Sequence, residues 1–424
     1  MKKIKAKITY LKQLLRRTGF FHIFGSSVIN QIIGFMSSII LVRVISKSQF
    51  GLYSYTYNIF SFFLLLSGLG LPAALLQICS EEYKNKEYSA SIFKYGSKYA
   101  IYANILLSML IFLFSKTVKL NLEGANSLLG LMSLIPMFII IIELMQANLR
   151  INRDNIRYSY ITSLNTILVF IFSITGAISY GTIGLIAFRY LAYTTTIVIG
   201  INILKLRFKT IFKKNFIDKV KQIDIFKISF ISMANNATGH LIYIVDIFIV
   251  GWMLPNESII AAYKVATILP NALIFIPSSL MLYLYPYFAE NNKNKTWVRE
   301  KYYMIIKYFG LFNLILSIVV ILFAPIIITV IFGDQYYDSI LPFRILIAGY
   351  FFSSTFRKVI GNLLVTQRKL KFNFLLGVLE GLLNIIANII LVSKYGAVGA
   401  AISSLMVVII SSFIGLNYFK KAVL

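Results

Sequence analysis

Arg189, Asp246, Lys264, Arg357, Lys358 and Glu380 each interrupt a long apolar stretch of this 424-residue chain. A charge surrounded by hydrocarbon costs about 2.5–3.5 kcal/mol on insertion scales unless it is paired or wet. If Asp246 and Glu380 each neutralise one cation, positive charge is left over, and a surplus of that sign suits an anionic ligand. A guanidinium grips phosphate oxygens as a two-pronged donor, whereas an ammonium acts as a point charge. Each cation also has a plainer reading, as a snorkelling side chain or half of an internal ion pair. Arg43 and Glu143 read as interfacial on the same grounds.

Polar residues recur at helical spacing around these charges. Ser229, Ser232, Asn235, Asn236, Gly239, Tyr243 and Asp246 fall on one face. So do His22, Ser26, Asn30, Gly34 and Ser37, as well as Ser54, Asn58, Ser61 and Gly68, and Lys264, Thr267, Asn271 and Ser278. Such stripes either glue helices together or line a hydrated cavity. With midplane charge beside them, Asn30, Asn58, Asn235 and Asn271 are expected to line a cavity. Asp246 and Glu380 are expected to couple to an ion or to pair with a cation.

Covalent chemistry lacks its parts. There is no phosphate-binding glycine loop followed by Lys-Ser/Thr. His22 and His240 stand far apart, and Cys79 is the only cysteine, so neither a disulfide nor a cysteine-based metal site is expected. The reading is of a non-enzyme with no cofactor and no metal.

The elements that must carry these residues follow from composition. Hydrophobic residues make up 58% of the chain and charged residues 13%, too little charge to coat a water-soluble globule of this length. The mean hydropathy is +0.79. A bilayer core takes about 20 apolar residues per helix, and twelve such runs are expected, near 19–43, 49–77, 95–115, 127–147, 158–179, 181–203, 226–251, 258–288, 303–331, 340–366, 371–393 and 396–419. The runs are continuous and long, unlike the alternating segments of a membrane barrel. The net charge of +27 does not imply nucleic acid, because the Lys and Arg residues lie between apolar runs. Alternate loops are basic: Lys84 to Lys98, Arg150 to Arg157, Lys205 to Lys227, Lys293 to Lys307, Arg368 to Lys371, and Lys420 with Lys421. The loops between them are poor in cations, which predicts both termini in the cytoplasm. The basic start leads into a run too long for a cleavable signal, so the first helix is expected to act as an uncleaved anchor.

The chain also reads as a repeat. Tyr180-Gly181-Thr182-Ile183-Gly184-Leu185-Ile186-Ala187 opens the sixth run, and Tyr395-Gly396-Ala397-Val398-Gly399-Ala400-Ala401-Ile402 opens the twelfth. The expected fold is all-α and polytopic, with twelve transmembrane helices in two six-helix lobes around a central cavity. The N-terminal lobe spans 1–203, a basic cytoplasmic linker 204–225 and the C-terminal lobe 226–424.

Several segments resemble a known family. Arg43-Val44-Ile45-Ser46 with Gln49-Phe50-Gly51-Leu52-Tyr53 is similar to the junction between the first two helices of O-antigen and polysaccharide flippases. These belong to the multidrug/oligosaccharidyl-lipid/polysaccharide exporter superfamily. Gly68-Leu69-Gly70-Leu71 and Ser80-Glu81, Asp246 to Gly251, Ala262-Tyr263-Lys264-Val265-Ala266, Phe332 to Tyr336, Leu341 to Leu346 and the Tyr395 hairpin resemble later segments in the same order. The resemblance implies a flippase moving undecaprenyl-pyrophosphate-linked oligosaccharide repeat units across the bacterial inner membrane by alternating access. A cationic cavity is part of that implication; Arg189, Lys264, Arg357 and Lys358 are assigned to it by their location. The expected partners are the lipid-linked glycan and membrane lipids, with a polysaccharide polymerase and chain-length regulator downstream. Two alternatives stand beside it: another exporter of the superfamily, for lipid-linked peptidoglycan precursor or drugs, and a membrane enzyme of polysaccharide assembly.

Overall fold

The computed structural model describes residues 20–82, 84–204 and 217–423. Much of the expected 204–225 linker therefore lies outside the described residues. Among the described residues the secondary structure is helical and there is no strand. Helix α1 covers Phe20–Val44 and α2 covers Lys47–Leu64. A 41° bend and a short 3-10 turn, Ser67–Gly70, lead to α3 at Leu71–Glu81. Gly68 and Gly70 take left-handed backbone angles there, φ 56° and 74°, which glycine adopts without a side-chain clash. Leu69 between them is carried into the same region at φ 49°. Pro72 follows within the first turn of α3, where its missing N–H costs no hydrogen bond.

Helix α4 spans Lys86–Thr117, with the Asn85 side chain accepting from the Tyr88 backbone N–H as its cap. The next span is broken: α5 at Ala125–Met132 and α6 at Ile135–Ile151, with Pro136 at the restart. Helix α7, Asn155–Leu204, folds back at Tyr180 and Gly181 and so supplies two spans. After α8, Lys219–Met253, come α9 at Glu257–Leu273 and α10 at Phe275–Glu290. Then follow α11 at Lys295–Leu322, α12 at Ala324–Phe332 and a 3-10 turn at Asp334–Ser339. Helix α13, Ile340–Phe352, continues through a π turn at Ser353–Arg357 into α14, Lys358–Thr366. Helix α15, Leu370–Ala422, folds back at Gly396. Among the described residues, nine helices or bent helix pairs are long and apolar enough to cross a membrane, two of them are hairpins of two arms each, and α8 adds a shorter apolar stretch, Ile244–Met253, in the order of the expected runs.

The hairpins repeat one another in detail. Gly181 and Gly396 share the backbone angles φ 59° and ψ −141°. A Cβ on Gly184 would run into the carbonyl of Gly176, and a Cβ on Gly399 into the carbonyl of Leu391. Both pairs are separated by the same eight residues around the same turn. Close approach of backbones through small residues is how helices associate when lipid removes the hydrophobic drive.

By contact the chain forms two compact units. The first comprises Met1–Ile45 and Ile59–Ala237, the second Ser46–Asn58 and Thr238–Leu424. The division crosses two helices: the start of α2, up to Asn58, packs in the second unit, and the start of α8, up to Ala237, in the first. Leu71, Leu75, Ile78, Ile92, Ile140 and Leu144 centre the core of the first unit. Met281, Phe288, Tyr302, Val359, Leu363 and Phe419 centre that of the second.

Candidate functional site

The polar centre of the second unit is built on Asp246, three-quarters of the way along α8. Its carboxylate is buried. Oδ1 accepts from Asn388 Nδ2 at 2.8 Å, and Oδ2 accepts from the Tyr263 hydroxyl at 3.0 Å and the Ser404 hydroxyl at 2.5 Å. These donors come from α9 and from both arms of α15. All are neutral, so the carboxylate is solvated by protein dipoles without a counter-cation among them. The Asn388 carbonyl oxygen, beside it, is buried and has no hydrogen-bond partner among the described residues. A buried carboxylate, an orphaned carbonyl and two hydroxyls make a cluster of oxygens that can take up a small cation or a proton.

A cavity of about 120 Å³ opens on this carboxylate. Thr267 and Asn271 line it from α9, Tyr350 and Ser353 from the α13 region, and Ser404 from α15. Pro270 on the same wall interrupts the helix ladder of α9 at that level. Lys264 precedes Thr267 and Asn271 by one and two turns of α9. It is half-buried, and among the described residues its ammonium makes no ion pair and no hydrogen bond.

Arg357 and Glu380 come together in a two-pronged pair. Nε lies 2.5 Å from Glu380 Oε1 and Nη2 2.9 Å from Oε2, while Nη1 donates to Asn373 Oδ1 at 3.2 Å. The side chains are 16% and 8% exposed, so the guanidinium is spent on the carboxylate. Glu380 is therefore an ion-pair residue, and the expectation that Arg357 is a cation left over for a ligand is revised. The π turn ending at Arg357 is the physical reason: one extra residue in the turn alters the helical register that delivers it to α15. Lys358, the next residue, is half-buried.

In the first unit, Arg189 is half-buried and its Nε donates to the Ser173 hydroxyl at 3.2 Å, across the arms of α7. Asn30 on α1 is half-buried with its carbonyl oxygen unpartnered. Asn58 is buried in the second unit, also with an unpartnered carbonyl oxygen. Asn271 is exposed into the cavity described above. The Asn235 side chain lies outside the described residues. Ser229, expected on the same stripe, is buried and donates to the Leu69 carbonyl. Outside the spans, the Lys221 ammonium donates to Glu82 Oε1 at 2.9 Å, and this bond holds Lys221 above the ordinary lysine range. Tyr263, Asn384, Asn388 and Ser404 were not anticipated as site residues. A signal was present for two of them: Glu380, Asn384 and Asn388 continue one another at a spacing of four.

Comparisons with known proteins agree with this architecture. A family model described as "Polysaccharide biosynthesis protein" matches residues 17–292, about two thirds of the chain. No curated protein sequence matches. Solved structures match over nearly all of it. The lipid II flippase MurJ in an inward closed conformation has a TM-score of 0.71 at 18% identity, covering 94% of this chain and 87% of that one. An inward-facing multidrug resistance transporter of the MATE family, of the MOP superfamily, has a TM-score of 0.73 at 12% identity, covering 93% and 94%. A MOP superfamily transporter from Pyrococcus furiosus, reported for the reverse polarity of its binding pocket, has a TM-score of 0.63 at 14% identity, covering 95% of each chain. At these identities the likeness is one of fold: an all-α, multi-pass membrane transporter fold.

Proposed function

We propose, from the premise that this chain belongs to the polysaccharide biosynthesis protein family, that it flips undecaprenyl-pyrophosphate-linked oligosaccharide repeat units across the bacterial inner membrane. The observation that carries this reading is Lys264. An ammonium at membrane depth with no acidic partner among the described residues favours a ligand that brings its own negative charge. A diphosphate supplies that charge without the need for a carboxylate in the wall. Arg189 and Lys358 are proposed as further cationic contacts. Asn30, Asn58, Asn235 and Asn271 are proposed as sugar-facing amides, which can donate and accept at once. Arg357, paired with Glu380, is assigned to holding the inner half of the tenth span against the eleventh.

Movement of the lipid head requires no bond to be made or broken, so no catalytic residue is assigned. The free energy has to come from an ion gradient or from removal of the product on the far side. Asp246 is the coupling residue in this reading: its oxygen-rich, cation-free surround suits a proton or Na⁺ taken up in one state and released in another. A cationic site also argues against a drug exporter, whose cargo is usually cationic. A polysaccharide polymerase and chain-length regulator are the expected consumers of the product.

The test is a deletion strain complemented with variants. Without the chain, the lipid-linked repeat unit should accumulate on the inner leaflet, and surface polysaccharide should disappear. Lys264→Ala and Asp246→Asn, both present at parental levels, should fail to restore it, and Lys264→Arg should restore part of it. Full restoration by Lys264→Ala would overturn the role of the unpaired ammonium. Accumulation of a peptidoglycan precursor instead would replace the substrate.

A further inference from the structure

Ser108, Gly130 and Ser133 are small residues inside apolar spans, and in the first unit they lie together in a groove of about 780 Å³. Every residue that lines it comes from α4, the α5–α6 span or α7, all of them long and apolar enough to cross a membrane. Ser108 and Ser133 are each 4% exposed and form the floor. Met109 and Leu113 on α4 and Leu134 at the break before α6 form the rims, each 57% exposed. Small residues below and long apolar ones above give the groove its depth. Tyr190 walls it from α7: its ring packs edge-on against Phe138 at 5.4 Å between centres, and its hydroxyl donates to the Leu131 carbonyl. That carbonyl stands where the helix ladder is interrupted, and backbone polar groups at membrane depth need such a partner.

One end of the groove is charged. Phe112 lines it, and the Lys116 ammonium stands 5.7 Å from the centre of that ring. Lys116 is exposed, and among the described residues no carboxylate pairs with it. Its neighbours are tied down by Asn126. That side chain donates to the Ser115 carbonyl at 2.8 Å and the Val118 carbonyl at 2.6 Å, and accepts from the Leu120 N–H at 3.0 Å. The cation is thus held at the mouth of an apolar groove.

The dimensions are those of one leaflet. At 1.5 Å per residue, α4 from Lys116 to Ile105, the lining residue farthest along it, spans about 16 Å. Half of a bilayer's hydrocarbon core is about 15 Å. A chain whose phosphate rests on Lys116 therefore ends near the midplane, beside Ile105. A polyprenyl tail is much longer and would overrun the groove. A chain lying between two rims touches protein on three sides, whereas one on a convex helix touches it on one. Dispersion contacts are small singly and large together, so a chain held here is bound where its neighbours in the bilayer are not.

We propose that the groove between α4 and the α5–α6 break is a binding site for one anionic phospholipid, with its phosphate on Lys116 and one acyl chain along Phe112, Met109 and Ile105. The lipid comes from the leaflet that borders the α4–α5 connection, the one that loop charge predicts to be outer. It covers the interrupted span and so acts as a structural ligand of the first unit. Such a site requires only that α4 to α7 span a bilayer, and it is independent of the cargo.

The full chain, extracted in mild detergent from membranes of phosphatidylglycerol and phosphatidylethanolamine, is read by native mass spectrometry. The parent should keep one phosphatidylglycerol per chain. Lys116→Gln should weaken its retention about fivefold, the scale of one lysine beside an anionic lipid surface. Leu113→Trp, which adds bulk to the groove from an exposed position, should abolish it. Leu106→Trp, 60% exposed on the same helix but outside the groove, and Lys394→Gln, exposed just before the α15 turn, should change nothing. Thermal unfolding gives a second reading. Without lipid, Leu113→Trp should unfold at the parent's midpoint; added phosphatidylglycerol should raise the midpoint of the parent and not that of the variant. Equal retention in the parent, Lys116→Gln and Leu113→Trp overturns the site and leaves only unspecific boundary lipid. Phosphatidylethanolamine kept as well as phosphatidylglycerol overturns the anionic headgroup. Displacement of phosphatidylglycerol by an equal concentration of undecaprenyl phosphate overturns the phospholipid and gives the groove to a polyprenyl tail.

Discussion

At the level of single residues, Arg357 and Glu380 present the physics of charge in a medium of low dielectric. Each would be costly alone, and their two-pronged contact with Asn373 alongside is what makes both tolerable. Removing one partner leaves the other uncompensated, at a cost of about 3–5 kcal/mol, whereas replacing both with apolar side chains of similar size is often nearly neutral. Arg357→Met and Glu380→Leu should each lower the midpoint of thermal unfolding in detergent by several degrees, and the double variant should recover most of that loss. Unfolding midpoints that fall additively would show that the two charges are stabilised separately. The sequence marked both residues, because a charge inside an apolar run is conspicuous in any reading. It did not mark their pairing, which depends on the π turn at Ser353–Arg357, and hydropathy carries no trace of such a turn. Asp246 was equally conspicuous, and the four-residue spacing of Glu380, Asn384 and Asn388 pointed to a polar face on the eleventh span. That this face meets Asp246 is a fact of packing between helices 142 residues apart along the chain.

At the level of elements, the two glycine hairpins carry the repeat. The sequence showed it in Tyr180 to Ala187 and Tyr395 to Ile402, and the backbone angles at Gly181 and Gly396 agree. The close approach across each hairpin leaves no room for a methyl group. Gly184→Ala and Gly399→Ala should therefore destabilise the protein by about 1–3 kcal/mol, the usual cost of overpacking, despite the better helix propensity of alanine. Gly25→Ala and Gly34→Ala on α1 meet nothing within 4 Å and should leave the unfolding midpoint unchanged or raise it. An equal response at all four sites would mean that helix propensity, not contact, governs them. Breaks within spans were less legible. The runs at 49–77 and 127–147 read as continuous because hydropathy does not register a turn made of apolar residues. In the structure one side chain serves both breaks: Asn104 accepts from the Gly68 N–H at 2.6 Å and donates to the Pro136 carbonyl at 2.7 Å and the Ser67 hydroxyl at 3.1 Å. Non-helical backbone at membrane depth is tolerated only where protein or water satisfies it, and Asn104 is the protein that does so.

For the whole molecule, the placement of charge predicts an orientation. The basic loops alternate with loops poor in cations from one end of the chain to the other, and a net charge of +27 makes the bias large. Such a bias acts on short loops during insertion, so it predicts the direction of the spans together. One consequence can be read without knowing the cargo. Glu123, in the turn before α5, and Arg153, in the turn after α6, are both exposed and lie at opposite ends of one span. The native Cys79 is buried, so an introduced thiol reports by itself. In intact cells Glu123→Cys should react with an impermeant maleimide and Arg153→Cys should not; after permeabilisation both should react. The opposite pattern would invert the molecule and move the Lys47–Asp338 ion pair to the cytoplasmic side. Labelling of both in intact cells would mean that the broken span of α5 and α6 does not cross the bilayer, which the length of 27 residues and an apolar composition make costly. The side of the membrane on which each loop is expected thus rests on one physical fact, the asymmetric placement of lysine and arginine between the spans.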